Sequence, residues 1–147
     1  MPRRYVAVCG ASDATASQLE SAREVGRLLA EAGVVVVNGG LGGVAGAASE
    51  GAADAGGTVV GILPDTDRHG VNPYVTISLP SGMGQARNVL IVTAAESVIA
   101  IGEGWGTLSE IAVARRLGRP VVALDSWSVR GLDTVATPAE AVRRALG

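Results

Sequence analysis

The sequence predicts an α/β protein with a doubly wound, mainly parallel sheet and helices on both faces. Three observations predict it. Short, continuously apolar runs recur along the chain, as strands buried on both faces require. Segments of helical length with apolar residues on one side lie between them. Glycines gather just after the apolar runs, where such a sheet makes its βα turns. With 147 residues, the chain is expected to form one Rossmann-like nucleotide-binding domain over residues 1–147, with no room for a separate substrate domain.

The first apolar run, Tyr5 to Gly10, follows Met1-Pro2-Arg3-Arg4, a start that leads into a strand rather than an export signal. Gln18 to Ala32 places Leu19, Ala22, Val25 and Leu29 on one side and reads as helix. Val34 to Asn38 is the next strand, and the alanine-rich Val44 to Ala55 the next helix. Thr58 to Leu63 and Tyr74 to Leu79 are strand-like runs joined by a polar loop, Pro64 to Pro73, with no room for a helix. That loop is expected to cover or border the site. Gln85 to Ala95 reads as a second alanine-rich helix, Ser97 to Ile101 and Pro120 to Leu124 as strands, and Gly104 to Glu110 as a glycine-rich turn running into a helix. Asp125 to Val135 is expected to be loop. Thr137-Pro138-Ala139-Glu140 then combines an N-cap threonine, proline at the first helical position and glutamate at the third, so a last helix should follow.

Composition removes several classes of function. Hydrophobic residues make up 48% and charged residues 18%, a globular balance. The longest apolar stretches, such as Val34 to Val37 and Val89 to Val92, are too short to cross a bilayer, so no membrane partner and a cytoplasmic location are expected. A net charge of −2, with no basic cluster larger than Arg115-Arg116 or Arg143-Arg144, offers no footprint for nucleic acid. Cys9 and His69 are the single cysteine and histidine, which excludes a disulfide framework or a Cys/His metal cluster within one chain. Lysine is absent, and with it a Walker-type phosphate lysine or a Schiff base.

In a doubly wound sheet, ligands bind beyond the carboxyl ends of the strands, where helix N-termini present free N–H groups to anions. Gly10-Ala11-Ser12, Gly39-Gly40-Leu41-Gly42-Gly43, Gly82-Met83-Gly84 and Gly102-Glu103-Gly104-Trp105-Gly106-Thr107 are all expected there. Taken singly, each is also what a tight turn needs. Gly40, Gly42 and Ala45 form a G-x-G-x-x-A pattern, a weak dinucleotide signal because it follows the second strand; no convincing ribose-binding acid follows, Asp65 being about the right distance away but at the start of the long loop. Gly104 to Thr107 is the sharpest site, with backbone N–H groups and the Thr107 hydroxyl for phosphate oxygens. Thr107-x-x-Glu110 is equally a capping box. Arg87 is placed to meet Glu110 or a phosphate, its alternative being a solvated surface arginine. Cys9 is read as a small buried hydrophobe and His69 as an exposed loop residue.

The runs Asn38-Gly39-Gly40-Leu41-Gly42-Gly43, Gly82-Met83-Gly84-Gln85-Ala86-Arg87-Asn88 and Gly104-Trp105-Gly106-Thr107 with Glu110 together resemble the SLOG superfamily. It includes the Lonely Guy phosphoribohydrolases, which release a base from a nucleoside 5′-monophosphate, and the molybdenum cofactor carrier proteins. The resemblance runs from about Tyr5 to Leu124. In the hydrolases the motif is P-G-G-x-G-T-x-x-E, with its glutamate and an upstream arginine of an R-K pair regarded as catalytic; Glu110 and Arg87 hold the matching positions. Gly102-Glu103 stands where those enzymes have Pro-Gly, and Asn88 where they have lysine, which weakens the hydrolase reading. The label of lysine decarboxylase, attached to many members, would need a pyridoxal-binding lysine that this chain lacks.

The glycine runs are more similar to the molybdenum cofactor carrier-like branch. That implies binding of a phosphorylated, nucleotide-like or pterin-type ligand, with no cofactor required and the molybdenum cofactor itself as the implied cargo. The expected ligand-binding residues are Gly10, Ser12, Gly39, Gly40, Gly42, Gly43, Gly84, Arg87, Gly104, Trp105, Gly106 and Thr107. The alternative is cleavage of an N-glycosidic bond, with Arg87 and Glu110 catalytic. A homo-oligomer, dimer or tetramer, is expected from the weakly charged helices Val44 to Ala55 and Gln85 to Ala95 and from the resemblance.

Overall fold

A computed structural model describes residues 2–147. A seven-stranded sheet, ordered β4-β3-β2-β1-β5-β6-β7, forms its centre. The strands are β1 (Tyr5–Gly10), β2 (Val35–Asn38), β3 (Val59–Leu63), β4 (Ile77–Pro80), β5 (Ser97–Gly102), β6 (Val121–Ser126) and β7 (Asp133–Val135). Every pairing among them is parallel. The helices are α1 (Ala16–Glu31), α2 (Gly43–Asp54), α3 (Asn88–Ala94), α4 (Trp105–Leu117) and α5 (Pro138–Leu146).

Alternation along the strands explains the two-sided core. Val6 and Val8 of β1, Val36 of β2 and Ile99 and Ile101 of β5 pack with α1, α2 and α5. Their neighbours Ala7, Cys9, Val37, Val98 and Ala100 face the other way, onto α3 and α4. Both faces are apolar because both are covered, which is why the runs read as continuous. The α1–α2 contact is especially close. A Cβ on Gly26 would meet the Ala48 carbonyl oxygen at 2.0 Å, and one on Gly51 the Arg23 carbonyl oxygen at 1.9 Å, so the two backbones touch where only glycine fits.

The expected sheet with helices on both faces is what the chain forms, with four local differences. The segment Asp125 to Val135 contains β7, a three-residue strand that pairs Val122 with Asp133. Its single apolar residue, Val135, gave no run to detect. The expected helix Gln85 to Ala95 is a 3-10 turn, Gly84–Arg87, followed by α3. Helix α2 is not a flat free surface, because α1 covers it and Ala47, Ala48 and Ala52 are buried in the core. What remains of the expected apolar surface lies on α3 and the turn before it, where Met83, Val89 and Leu90 are exposed. Finally, Glu110 and Thr107 do not form a capping box: Gly104 is the N-cap of α4 and no side chain caps it.

The strand order places the site. From β1 the chain winds outward through β2, β3 and β4, then returns to the other side of β1 for β5, β6 and β7. The order reverses between β1 and β5, so the loops leaving these two strands diverge and open a crevice at the carboxyl edge. No helix among the described residues is long and apolar enough to cross a membrane.

Candidate functional site

A cavity of 390 Å³ lies at this switch point, within the range of small-molecule sites. The β1 loop contributes Gly10 and Ser12, the β2 loop Gly39 and Gly42, the segment before α3 Arg87, and the start of α4 Gly104, Trp105, Gly106, Thr107 and Glu110. Ten of the expected site residues are therefore brought together. Gly40, Gly43 and Gly84 do not line it. Gly40 and Gly43 shape the loop instead: both have positive φ, 76° and 65°, and a Cβ on Gly43 would lie 2.6 Å from the Ser12 Cα.

Two helices without side-chain caps begin beside the cavity, and at α2 the Val44 N–H already donates to the Ala11 carbonyl at 3.1 Å. Gly104 is the N-cap of α4 and Gly42 that of α2, and neither supplies a side-chain acceptor to the first turn. The first intrahelical bond of α4 is from the Leu108 N–H to the Gly104 carbonyl, 2.9 Å, so the amides of Trp105, Gly106 and Thr107 have no helical partner. The Thr107 side chain is 2% exposed, and its Oγ1 has no hydrogen-bond partner. A buried hydroxyl left without a partner at an uncapped helix end is costly on its own, and it lines the space a ligand oxygen would fill.

Arg87 is not a solvated arginine. It is 7% exposed, its Nε donates to the Ile62 carbonyl at 2.7 Å, and one Nη donates to Asn88 Oδ1. Its other Nη, which has no hydrogen-bond acceptor among the described residues, lies against Gly39; a Cβ there would come within 2.8 Å of it. Asn88 Nδ2 donates in turn to Ser109 Oγ at 3.2 Å, and Ser109 Oγ donates to the Gly106 carbonyl at 2.6 Å. Asn88 thus couples Arg87 to the first turn of α4, a role that a lysine in its place could not fill from both sides. Burial holds the Arg87 guanidinium below its ordinary pKa, partly offset by the charges of Glu110 and Cys9.

Glu110 is 7% exposed and makes no ion pair with Arg87. Burial pushes its carboxyl up to about 7, with the Cys9 thiol and the Arg87 charge pulling it part of the way back. Cys9 is buried as expected, and it also lines the cavity beside Glu110; burial and that carboxylate push its thiol well above the ordinary range. No group of three or more His, Cys, Asp or Glu side chains suited to a metal ion occurs among the described residues.

The loop Pro64 to Pro73 does not border this cavity. Pro64, Asp65, Thr66, Asp67 and His69 line a separate hollow of 400 Å³ with Gly82 and Gly84. Asp65 is therefore not placed to bind a ribose in the cavity, because β3 carries its loop outward, away from the switch point. The loop touches the glycine run through Asn72, whose N–H donates to the Gly40 carbonyl at 2.8 Å. Glu103 is exposed and outside the cavity, and His69 is exposed. Trp127 is the feature that sequence reasoning missed. Its Nε1 donates to the Gly104 carbonyl at 3.0 Å, and its ring lies 5.4 Å from that of Trp105. The signal was the scarcity of the residue, since the chain has two tryptophans and no phenylalanine.

Known proteins share this fold. A protein from Archaeoglobus fulgidus, described as uncharacterized, is 42% identical over 143 residues, covering 97% of this chain and 94% of the relative. The molybdenum cofactor binding protein from Rippkaea orientalis superposes with a TM-score of 0.93 at 33% identity, covering 98% of this chain and 96% of that one. The molybdenum cofactor carrier protein from Chlamydomonas reinhardtii gives a TM-score of 0.90 at 28% identity, over 99% and 97% of the two chains. The SLOG cluster4 family model matches residues 3–145, and over that span the chain belongs to the SLOG cluster4 family.

Proposed function

We propose that this chain binds and carries a phosphorylated pterin-type ligand, the molybdenum cofactor or a close relative of it, with the phosphate over the first turn of α4. The observation that carries the reading is the Thr107 hydroxyl, buried and without a partner at an uncapped helix end that faces the cavity. A phosphate oxygen would satisfy that hydroxyl and the free amides beside it, and the free Arg87 nitrogen adds a charge-assisted donor from the opposite wall. Similarity to a molybdenum cofactor binding protein and a carrier protein supports the pterin class of cargo. The hydrolase pattern is met only in part: Arg87 and Glu110 both line the cavity, but they make no ion pair and Asn88 stands in place of the pattern's lysine.

Thr107→Val tests this directly. Removing an unsatisfied hydroxyl at constant shape should raise unfolding stability by about 1 kcal/mol in the absence of ligand. The same change should weaken binding of inorganic phosphate or a nucleoside monophosphate by roughly tenfold, because one bond to the anion is lost. Calorimetric titration and thermal melts read both. A variant that is stabilised yet binds these anions as the native chain does would show that the orphan hydroxyl has no ligand to meet, and the reading would fall.

A further inference from the structure

Aromatic residues are 3% of this chain, and the largest fully buried side chains are leucine, isoleucine and valine. The core uses no tryptophan. Trp105 stands instead at the cavity with Trp127 against it, ring centroids 5.4 Å apart and planes tilted by 40°. Trp105 lines the cavity and is nevertheless 79% exposed, more than any other large apolar side chain among the described residues. A flat apolar surface left in water beside a binding cavity is a surface waiting for cover.

Trp127 explains why that surface keeps its place. It is half-buried and packs on the core cluster beneath α4. Its indole N–H donates to the Gly104 carbonyl, the same oxygen that accepts the first intrahelical bond of α4. The indole is thereby tied to the N-cap of the helix whose first residue is Trp105. One side of the Trp105 ring rests on Trp127, and the separation falls within the range of favourable aromatic pairs. The other side remains open at the cavity mouth.

We propose that Trp105, backed by Trp127, is the stacking platform for a planar heteroaromatic ring on the ligand, and so selects phosphorylated ring compounds over phosphate alone. This rests on the reading of the cavity as a phosphate site, and it goes further by naming the element that reads the ring. The geometry restricts the ligand. The indole belongs to the first residue of α4 and the free amides to its first turn, so ring and phosphate must sit close together, on a short arm. A pterin phosphate and a nucleoside monophosphate both have that chemistry, and the experiment separates them.

The experiment uses the full chain and four probes: inorganic phosphate, ribose 5-phosphate, AMP and 6-hydroxymethylpterin monophosphate. Calorimetry gives affinities, and tryptophan emission gives ring contact, since one of the two tryptophans lines the cavity and the other lies 5.4 Å from it. A ring-bearing probe should bind roughly 5- to 100-fold more tightly than ribose 5-phosphate and quench the emission. A preference for the pterin compound over AMP assigns the pterin as the ring, and the reverse assigns the purine. Trp105→Ala should bring the affinity for the ring-bearing probe down to that for ribose 5-phosphate measured on the same variant; Trp105→Phe should restore part of the difference. Circular dichroism should show both variants folded, because the replaced ring is exposed.

A ring advantage that survives Trp105→Ala overturns the platform and leaves the phosphate site standing. Failure of the native chain to bind any of the four probes overturns both. Sedimentation supplies the remaining arm: if Trp105→Ala dissociates an oligomer and leaves ring affinity unchanged, the pair is a contact between copies of this chain and the platform is refuted.

Discussion

Helices α1 and α5 on one hand, and α2 and α4 on the other, all begin at the same edge of the same sheet, yet their first turns are finished differently. Thr15 caps α1 in a full capping box with Gln18, and Thr137 caps α5 through the Glu140 N–H with proline behind it. Helices α2 and α4 begin at Gly42 and Gly104 with no side-chain cap. The difference follows the cavity, since it is the uncapped ends that line it. A chain that caps two helices with threonine has the means to cap all four. On the proposed function the uncapped ends are ends whose partner is a ligand, in keeping with anion binding at helix N-termini.

The acidic residues near these ends repeat the contrast. Glu140, in the first turn of α5, lies at the surface and pairs with Arg144 at 3.4 Å. Glu110, in the second turn of α4, is buried without an ion pair, and burial lifts its carboxyl to about 7. This group gives the largest expected effect. Because its folded-state pKa is raised, the stability linked to it is intact below the ordinary carboxylate value near 4.5 and is lost as pH rises past about 7. The native chain should lose roughly 3 kcal/mol from this group between pH 4 and pH 8, and Glu110→Gln should not. Chemical denaturation of both proteins at the two pH values measures the difference. Equal losses would place Glu110 in contact with water and remove the contrast with Glu140.

The next effect concerns binding without folding. A Cβ on Gly106 would meet the Asn88 amide nitrogen at 3.6 Å, an ordinary contact, so the fold has room for a side chain there. Gly106→Val should nevertheless fill the space over the first turn of α4 and lower affinity for inorganic phosphate by about 100-fold, the worth of two lost charge-assisted bonds. Its melting temperature should stay close to the native value, since neither valine nor glycine is a strong helix former. Unchanged phosphate affinity would mean that the open end of α4 is only a turn.

These sites differ in how far they can be read without coordinates, and the reason is the range of the interactions involved. The strands β1, β2, β3, β5 and β6 are legible because each is a local apolar run, and the glycine loops are legible because they follow such runs. The cap of α4 is not, since Thr107-x-x-Glu110 has the same pattern whether the helix begins at Thr107 or earlier; the register is settled by how Gly104 is held against Trp127. Arg87 could not be told from a surface arginine because its acceptor is the Ile62 carbonyl, 25 residues away. The Trp105–Trp127 pair joins the start of α4 to the loop after β6, which only the β5–β6 pairing brings together. What remained hidden was set by non-local partners.

Thr15→Ala sharpens the comparison from the capped side. It removes the acceptor for the Gln18 N–H, a 3.1 Å bond, and should cost about 1 kcal/mol of stability. Phosphate affinity should be unchanged, because that end already has its own partner and Thr15 is outside the cavity. A loss of affinity equal to that in Gly106→Val would show that capped and open ends serve the site alike.

The smallest effect is the most discriminating, because it adds a cap where the chain has none. Gly42 has φ −95° and ψ −161°, extended geometry that any residue adopts at an N-cap, and a Cβ there would meet nothing within 4 Å. Gly42→Ser is therefore free of strain and offers its hydroxyl to the Ala45 N–H, since the Val44 N–H already donates to the Ala11 carbonyl at 3.1 Å. Serine over glycine at an N-cap is worth a few tenths of a kcal/mol, so the ligand-free protein should melt slightly higher. If that amide serves an anion, the new hydroxyl competes for it, and affinity for a nucleoside monophosphate should fall by roughly two- to fivefold, in proportion to one weakened bond. Stability and affinity would then move in opposite directions from one substitution. A variant that gains stability and binds as before would show that the open end of α2 lies outside the ligand's reach, leaving α4 alone as the site.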